Sequence, residues 1–113
     1  MNHPELDVEK ITRQLEDTRA ELVDQSAESE ESRATVVLDQ QSVGRLSRMD
    51  ALQGQAMAKA EEERRQLAIR RIDAALARIG RGEYGECIEC GEWIAARRLE
   101  WDPTVLKCID CAE

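Results

Sequence analysis

All four cysteines of this 113-residue chain fall near its C-terminal end, in the pattern Cys87-x2-Cys90-x17-Cys108-x2-Cys111. This spacing lies in the window of a four-thiolate zinc site. Each C-x2-C turn brings two sulfurs to one side of the backbone. Two such turns supply the four soft ligands of a tetrahedral site with Zn–S distances of ~2.3 Å. Gly91 directly follows Cys90, as a knuckle needing a positive φ would require. A thioredoxin-like dithiol would need a single C-x2-C in a βαβ context, which is absent. Two disulfides would need an oxidising compartment, for which the sequence has no signal. With all four positions filled by protein ligands there is no open site for water activation, so the metal is expected to be structural. Between the pairs, residues 92–97 (EWIAAR) read as a short hairpin or strand, and residues 101–104 (WDPT) as a turn.

The rest of the chain reads as helix. Aromatic residues make up 3% of it and Phe is absent, which leaves little for a broad globular core. Ala, Leu, Ile, Glu, Arg and Gln dominate instead, as in long or coiled helices. A first helix is expected from Pro4 to about Leu38, with Pro4 in its first turn and Glu5, Asp7 and Glu9 at the positive end of its dipole. Ile11, Leu15, Thr18, Leu22 and Gln25 form a 4-3-4-3 stripe that begins apolar and fades. Residues 24–33 (DQSAESEESR) are polar all round and read either as solvated helix or as a break. Asp39, Ser42 and Gly44 place a helix reversal within 39–47. A second helix is expected from about Leu46 to Ile79. Its seam runs through Met49, Leu52, Ala56 and Ala60, then Ile69, Ile72, Leu76 and Ile79. A Glu61–Arg65 pair is expected on its surface, and Gly80 and Gly82 should stop it. The fold class is therefore mainly α: a long antiparallel helical hairpin (coiled coil) over residues 1–80, tip about 39–50, with a four-cysteine zinc-finger module over 81–113. An isolated hairpin this polar is marginal, so the module should clamp its open end.

Charge narrows the functions. The net charge is −8. Residues 82–113 hold eight acids against three bases, so sequence-specific DNA binding is not expected. No apolar run approaches the ~18–20 residues of a membrane span. The start MNHPELDVEK lacks the features of a signal peptide, so a cytoplasmic location is expected. No catalytic constellation is evident, and the chain is not expected to be an enzyme. His3, the single histidine, reads as a solvated residue of a mobile terminus. Trp93 and Trp101 are expected to pack the module against the helix end around Ile72 and Ile79. Alternatively, with Arg97, Arg98 and Lys107, they form a small basic-aromatic face.

Residues 75–111, ALARIGRGEYGECIECGEWIAARRLEWDPTVLKCIDC, resemble the C-terminal module of the DksA/TraR family. There a helix runs into R-I-x-x-G-x-Y-G-x-C-x-x-C-G, then I-x-x-x-R-L-x-x-x-P, then C-x-x-C. The resemblance implies that Cys87, Cys90, Cys108 and Cys111 ligate one structural Zn2+. It also implies direct binding to bacterial RNA polymerase, without DNA, by a coiled coil inserted into the secondary channel. Acidic residues and an alanine at the tip would act near the polymerase active centre.

The family tip pattern D-x-x-D-x-A is not present. Residues 37–51 offer separated Asp39 and Asp50, followed by Ala51, with Arg45, Leu46 and Arg48 between them. These six are the candidate partner-binding residues. Guanosine tetraphosphate is a further ligand in the family, and Arg71 matches a basic residue of its site. Asp102 and Ala112 stand where the family has cations, so strong nucleotide binding is not expected. The chain stops two residues after Cys111, as a short paralogue of the family would. The alternative function is a zinc-ribbon adaptor for nucleic acid or another protein.

Overall fold

The structure, a computed structural model, describes residues 1–30 and 45–112, with side chains of the second long helix from residue 48 onward. Two long helices, α1 (Val8–Glu28) and α2 (Arg45–Arg81), precede a short α3 (Ala96–Trp101). Extended pairing among the described residues is confined to an antiparallel bridge between Glu86 and Trp93. Arg19 on α1 bonds Asp73 on α2 at 2.7 Å, and Ser26 bonds Glu62 at 2.7 Å. Ascending α1 thus means descending α2, so the pair is antiparallel, as the hairpin reading requires. No helix among the described residues is long and apolar enough to cross a membrane.

Helix ends follow local chemistry. Residues 4–6 form a turn instead of the expected first helical turn. The cap is Asp7, whose carboxylate accepts the Lys10 N–H at 3.2 Å and satisfies one orphan donor. At the other end α2 runs straight through Gly80. Gly82 N–H then donates to Ile79 O at 3.1 Å and Glu83 N–H to Arg78 O at 2.9 Å. These two bonds make a Schellman closure, so Gly82 alone stops the helix. α1 ends at Glu28, where Ser29 N–H caps it on Gln25 O at 3.0 Å, short of the expected Leu38; the reversal over 39–44 lies outside the described residues. Residues 45–47, assigned to that reversal, are helical. Residues 96 and 97, read from sequence as extended, open α3.

The core sits where the hairpin meets the cysteine module. Ile11 and Leu15 of α1, Ile72 and Ala75 of α2, and Tyr84, Cys87, Ile94 and Leu99 form one buried cluster. The tryptophans are not in it: Trp101 is 90% exposed. Their expected packing role is taken by Tyr84, Ile94 and Leu99, the three most enclosed large side chains. Tyr84 also donates its hydroxyl to Pro103 O at 2.8 Å. Burial, and then the charge of Asp102, push that hydroxyl up to about 12, so it stays a donor at neutral pH.

Further from the core the seam changes character. Met49, Leu52 and Met57 are more than half exposed, and Ala56 and Ala60 face solvent. The expected upstream seam is therefore on the wrong side of α2. The true one runs backward from Ile72 and Ile69 through Arg65, Glu62, Ala58, Gln55 and Ala51, keeping the 3-4 alternation with small and polar residues. Glu62 is buried, and its carboxylate accepts from Ser26 Oγ at 2.7 Å and Gln66 Nε2 at 3.1 Å. Arg65 turns inward rather than pairing with Glu61. It donates to Ser29 Oγ at 2.7 Å and lies 3.7 Å from Glu62. The polar stretch 24–30 thus faces α2 with Ser26 and Ser29.

This division predicts a sharp contrast. Leu99→Ala, at a fully buried junction position, should cost about 2–5 kcal/mol. Leu52→Ala, on the exposed face, should change stability by no more than ~0.5 kcal/mol. Thermal or urea unfolding followed by circular dichroism separates the two.

Candidate metal centre

Two C-x2-C turns meet at the end of the junction core. The first lies at the tip of a short ribbon, residues 84–94. Ile94 N–H donates to Gly85 O at 2.8 Å and Cys87 N–H to Glu92 O at 2.8 Å, on either side of the Glu86–Trp93 bridge. Gly91 N–H closes the turn onto Cys87 O at 3.0 Å, with φ at +76°, as expected for the residue after Cys90. The second turn is closed by Cys111 N–H on Cys108 O at 3.1 Å. Ile88 N–H to Leu106 O at 3.0 Å and an ion pair of 2.7 Å between Lys107 and Glu89 hold one turn against the other.

The four Sγ atoms lie within 4.8 Å of one another. Cys90 and Cys108 sulfurs are 3.7 Å apart, and all four thiols are free. A tetrahedron with ~2.3 Å metal–sulfur bonds has edges of about 3.8 Å, whereas a disulfide would be ~2.05 Å. The donor set and its spacing therefore fit zinc. Electrostatics make the same point. Amide groups of Cys90 and then Cys108 directed at its sulfur lower the Cys87 thiol to about 6, against the opposing effect of burial. Cys90 is raised: the Glu92 amide acts to lower it, but hydrogen bonding with the Cys87 sulfur and burial outweigh that. Cys111 is raised by hydrogen bonding with Cys108 and Cys87 and by burial. Four crowded thiols resist full ionisation until a cation joins them.

The other sequence-derived candidates are distributed along the molecule. Arg48, Asp50 and Ala51 lie in the first turns of α2, Asp50 exposed and the other two half-buried. Arg45 and Leu46 are the first two residues of that helix. Asp39 lies outside the described residues. From Asp50 to Arg81 the helix rises about 45 Å. Arg71 is exposed on α2 beside two grooves. One has Leu15, Ile72, Pro103 and Thr104 in its walls, the other Arg98 and Lys107, and Asp102 lines both. His3, expected to be solvated, is 4% exposed and hydrogen-bonded. A polar residue ahead of the first helix carries no periodicity, so only a three-dimensional view could place it.

Residues 82–113 match the prokaryotic DksA/TraR C4-type zinc finger family. The chain is 41% identical over 49 residues to the RNA polymerase-binding transcription factor DksA of Haemophilus influenzae, covering 43% of this chain and 34% of that one. Against the protein of the same name in Escherichia coli K12 the identity is 39% over 49 residues, 43% and 32% of the two chains. The matched segment thus spans about a third of those relatives. Transcription factor DksA2 from Pseudomonas aeruginosa superposes with a TM-score of 0.67 at 26% identity, over 90% of this chain and 74% of that one. The likeness to DksA2 thus includes the helical hairpin as well as the cysteine module.

The raised thiols give a quantitative expectation. At pH 7.5, zinc must displace the protons of at least Cys90 and Cys111. Binding should therefore release more than one proton per zinc, and affinity should fall as pH falls. Calorimetry in buffers of differing ionisation enthalpy measures the number. One zinc per chain is expected by elemental analysis.

Proposed function

We propose that this chain, a DksA/TraR C4-type zinc finger protein, is a transcription regulator that binds bacterial RNA polymerase directly. The observation that carries the proposal is the likeness to DksA2 across 90% of the chain, hairpin included. The matching relatives are named as polymerase-binding transcription factors. Cys87, Cys90, Cys108 and Cys111 ligate the zinc. Bound there, zinc would offset half the charge of four thiolates and cross-link the two turns. The surrounding residues fix the end of the hairpin: Tyr84, Ile94 and Leu99 seat the module on Ile72, Ala75, Ile11 and Leu15. The hairpin reaches into the secondary channel of the polymerase. Asp39, Arg45, Leu46, Arg48, Asp50 and Ala51 form the end that acts there. The separated acids of this tip, Asp39 and Asp50, make its effect on promoter complexes differ from that of a tip with two acids one turn apart.

Purified protein should co-elute with core polymerase and compete with another secondary-channel factor; failure of both would remove the proposal. Asp50→Asn should leave polymerase affinity within about twofold, as for an exposed charge, while changing transcription output in a defined promoter assay. Loss of affinity alone would place Asp50 in docking instead.

One observation favours a second role for the module. Trp93, Trp101, Arg97 and Ile109 line an open groove of about 650 Å³ on its outer face, and Trp101 is almost fully solvated. An apolar, aromatic surface with arginine at its edge suits an adaptor contact with another protein. The acidic balance of the module argues against nucleic acid. Trp101→Ala should weaken capture of that partner while leaving zinc content and helicity unchanged. Salt-sensitive binding of a single-stranded RNA or DNA probe to the intact protein would favour nucleic acid instead.

A further inference from the structure

The residues ahead of α1 lie across the cysteine module. Asn2 Nδ2 donates to Ile79 O at 3.2 Å, and its Oδ1 accepts the Tyr84 N–H at 3.0 Å. His3 continues this strap, donating its own N–H to Tyr84 O at 2.8 Å. The ring rests on Trp93, with centroids 5.2 Å apart. Its Nε2 lies 2.7 Å from Ile94 O, and its Nδ1 accepts the Glu5 N–H at 3.2 Å. A carbonyl only accepts and an amide N–H only donates, so the contacts assign Nε2–H as the donor to Ile94 O and Nδ1 as the acceptor from Glu5.

Tyr84 and Ile94 are the two ends of the ribbon that carries Cys87 and Cys90 at its turn. His3 therefore ties one strand to the other at the end away from the sulfurs. A two-stranded ribbon this short is marginal by itself. The fit also constrains the neighbouring backbone. Gly85 has φ of +97°, and a Cβ there would lie 2.6 Å from His3 Cβ. The glycine of the Tyr-Gly pair thus makes room for the histidine.

We infer that His3 is a positioning residue for the zinc site. It buckles the open end of the ribbon, fixes the relative placement of the Cys87 and Cys90 sulfurs, and slows loss of the metal without touching it. This role is independent of polymerase binding, so the two stand or fall separately.

The test compares the zinc-loaded full chain with His3→Ala, His3→Asn and His3→Gln. Zinc transfer to a chromophoric chelator gives the release rate, and the cobalt(II)-substituted proteins report thiolate geometry by absorption. Glutamine extends an N–H to the position of Nε2 and can still reach Ile94 O. Asparagine reproduces only the acceptor for Glu5. Far-UV circular dichroism should show the hairpin retained in all three. Alanine and asparagine variants should release zinc ~10-fold faster or more, and the glutamine variant within ~3-fold of the parent, as for groups that orient metal ligands. If the alanine variant fails to fold, the glutamine–asparagine pair decides. Release from His3→Ala at the parental rate, or equal rates for His3→Gln and His3→Asn, would overturn the inference.

Discussion

Four sulfurs within 4.8 Å of one another make a ready site for a soft cation, and the base of the molecule is built around them. The ribbon of 84–94 and the turn at 108–111 are too small to hold a core of their own. They borrow one: Cys87 is itself buried among Ile11, Leu15, Ile72, Ala75 and Tyr84. Metal ligation and helix packing therefore share atoms. A change in either should be felt in both.

The hairpin depends on this junction more than on itself. Among the described residues its buried apolar seam lies at the base, where Ile11 and Leu15 meet Ile69, Ile72 and Ala75. The Arg19–Asp73 pair is solvent-exposed and contributes little, although Asp73 raises the Arg19 guanidinium through a direct hydrogen bond. Beyond it the helices meet through Ser26, Ser29, Glu62 and Arg65. Local stability should decline from the junction core outward along the described helices.

Much of this was legible in the residues. Cysteine spacing, helix-forming composition and the glycine after Cys90 are local signals, and they point to the zinc turns and the long helices directly. What escaped were choices made by packing. In sequence the upstream seam of α2 falls on Met49 and Leu52, which are large and apolar. The helix instead buries the register continuous with Ile69 and Ile72, even though that register carries Glu62 and Arg65. The tryptophans are the largest side chains of the module, yet the space at the junction is filled by Tyr84, Ile94 and Leu99. His3 carries no sequence signal because its partners, the carbonyls of Tyr84 and Ile94, are about eighty to ninety residues away. A backbone carbonyl leaves no mark in a sequence.

The Ser26–Glu62 contact, with Ser29 and Arg65 beside it, also acts as a gauge of length. A slide of one heptad between the helices would lay Ile69 against Ser26 and strip Glu62 of its hydroxyl, leaving a buried carboxylate short of donors. Each such step would shift one helix by about 10 Å along the other. Four polar side chains along the hairpin thus add a second check on the register that the base core sets.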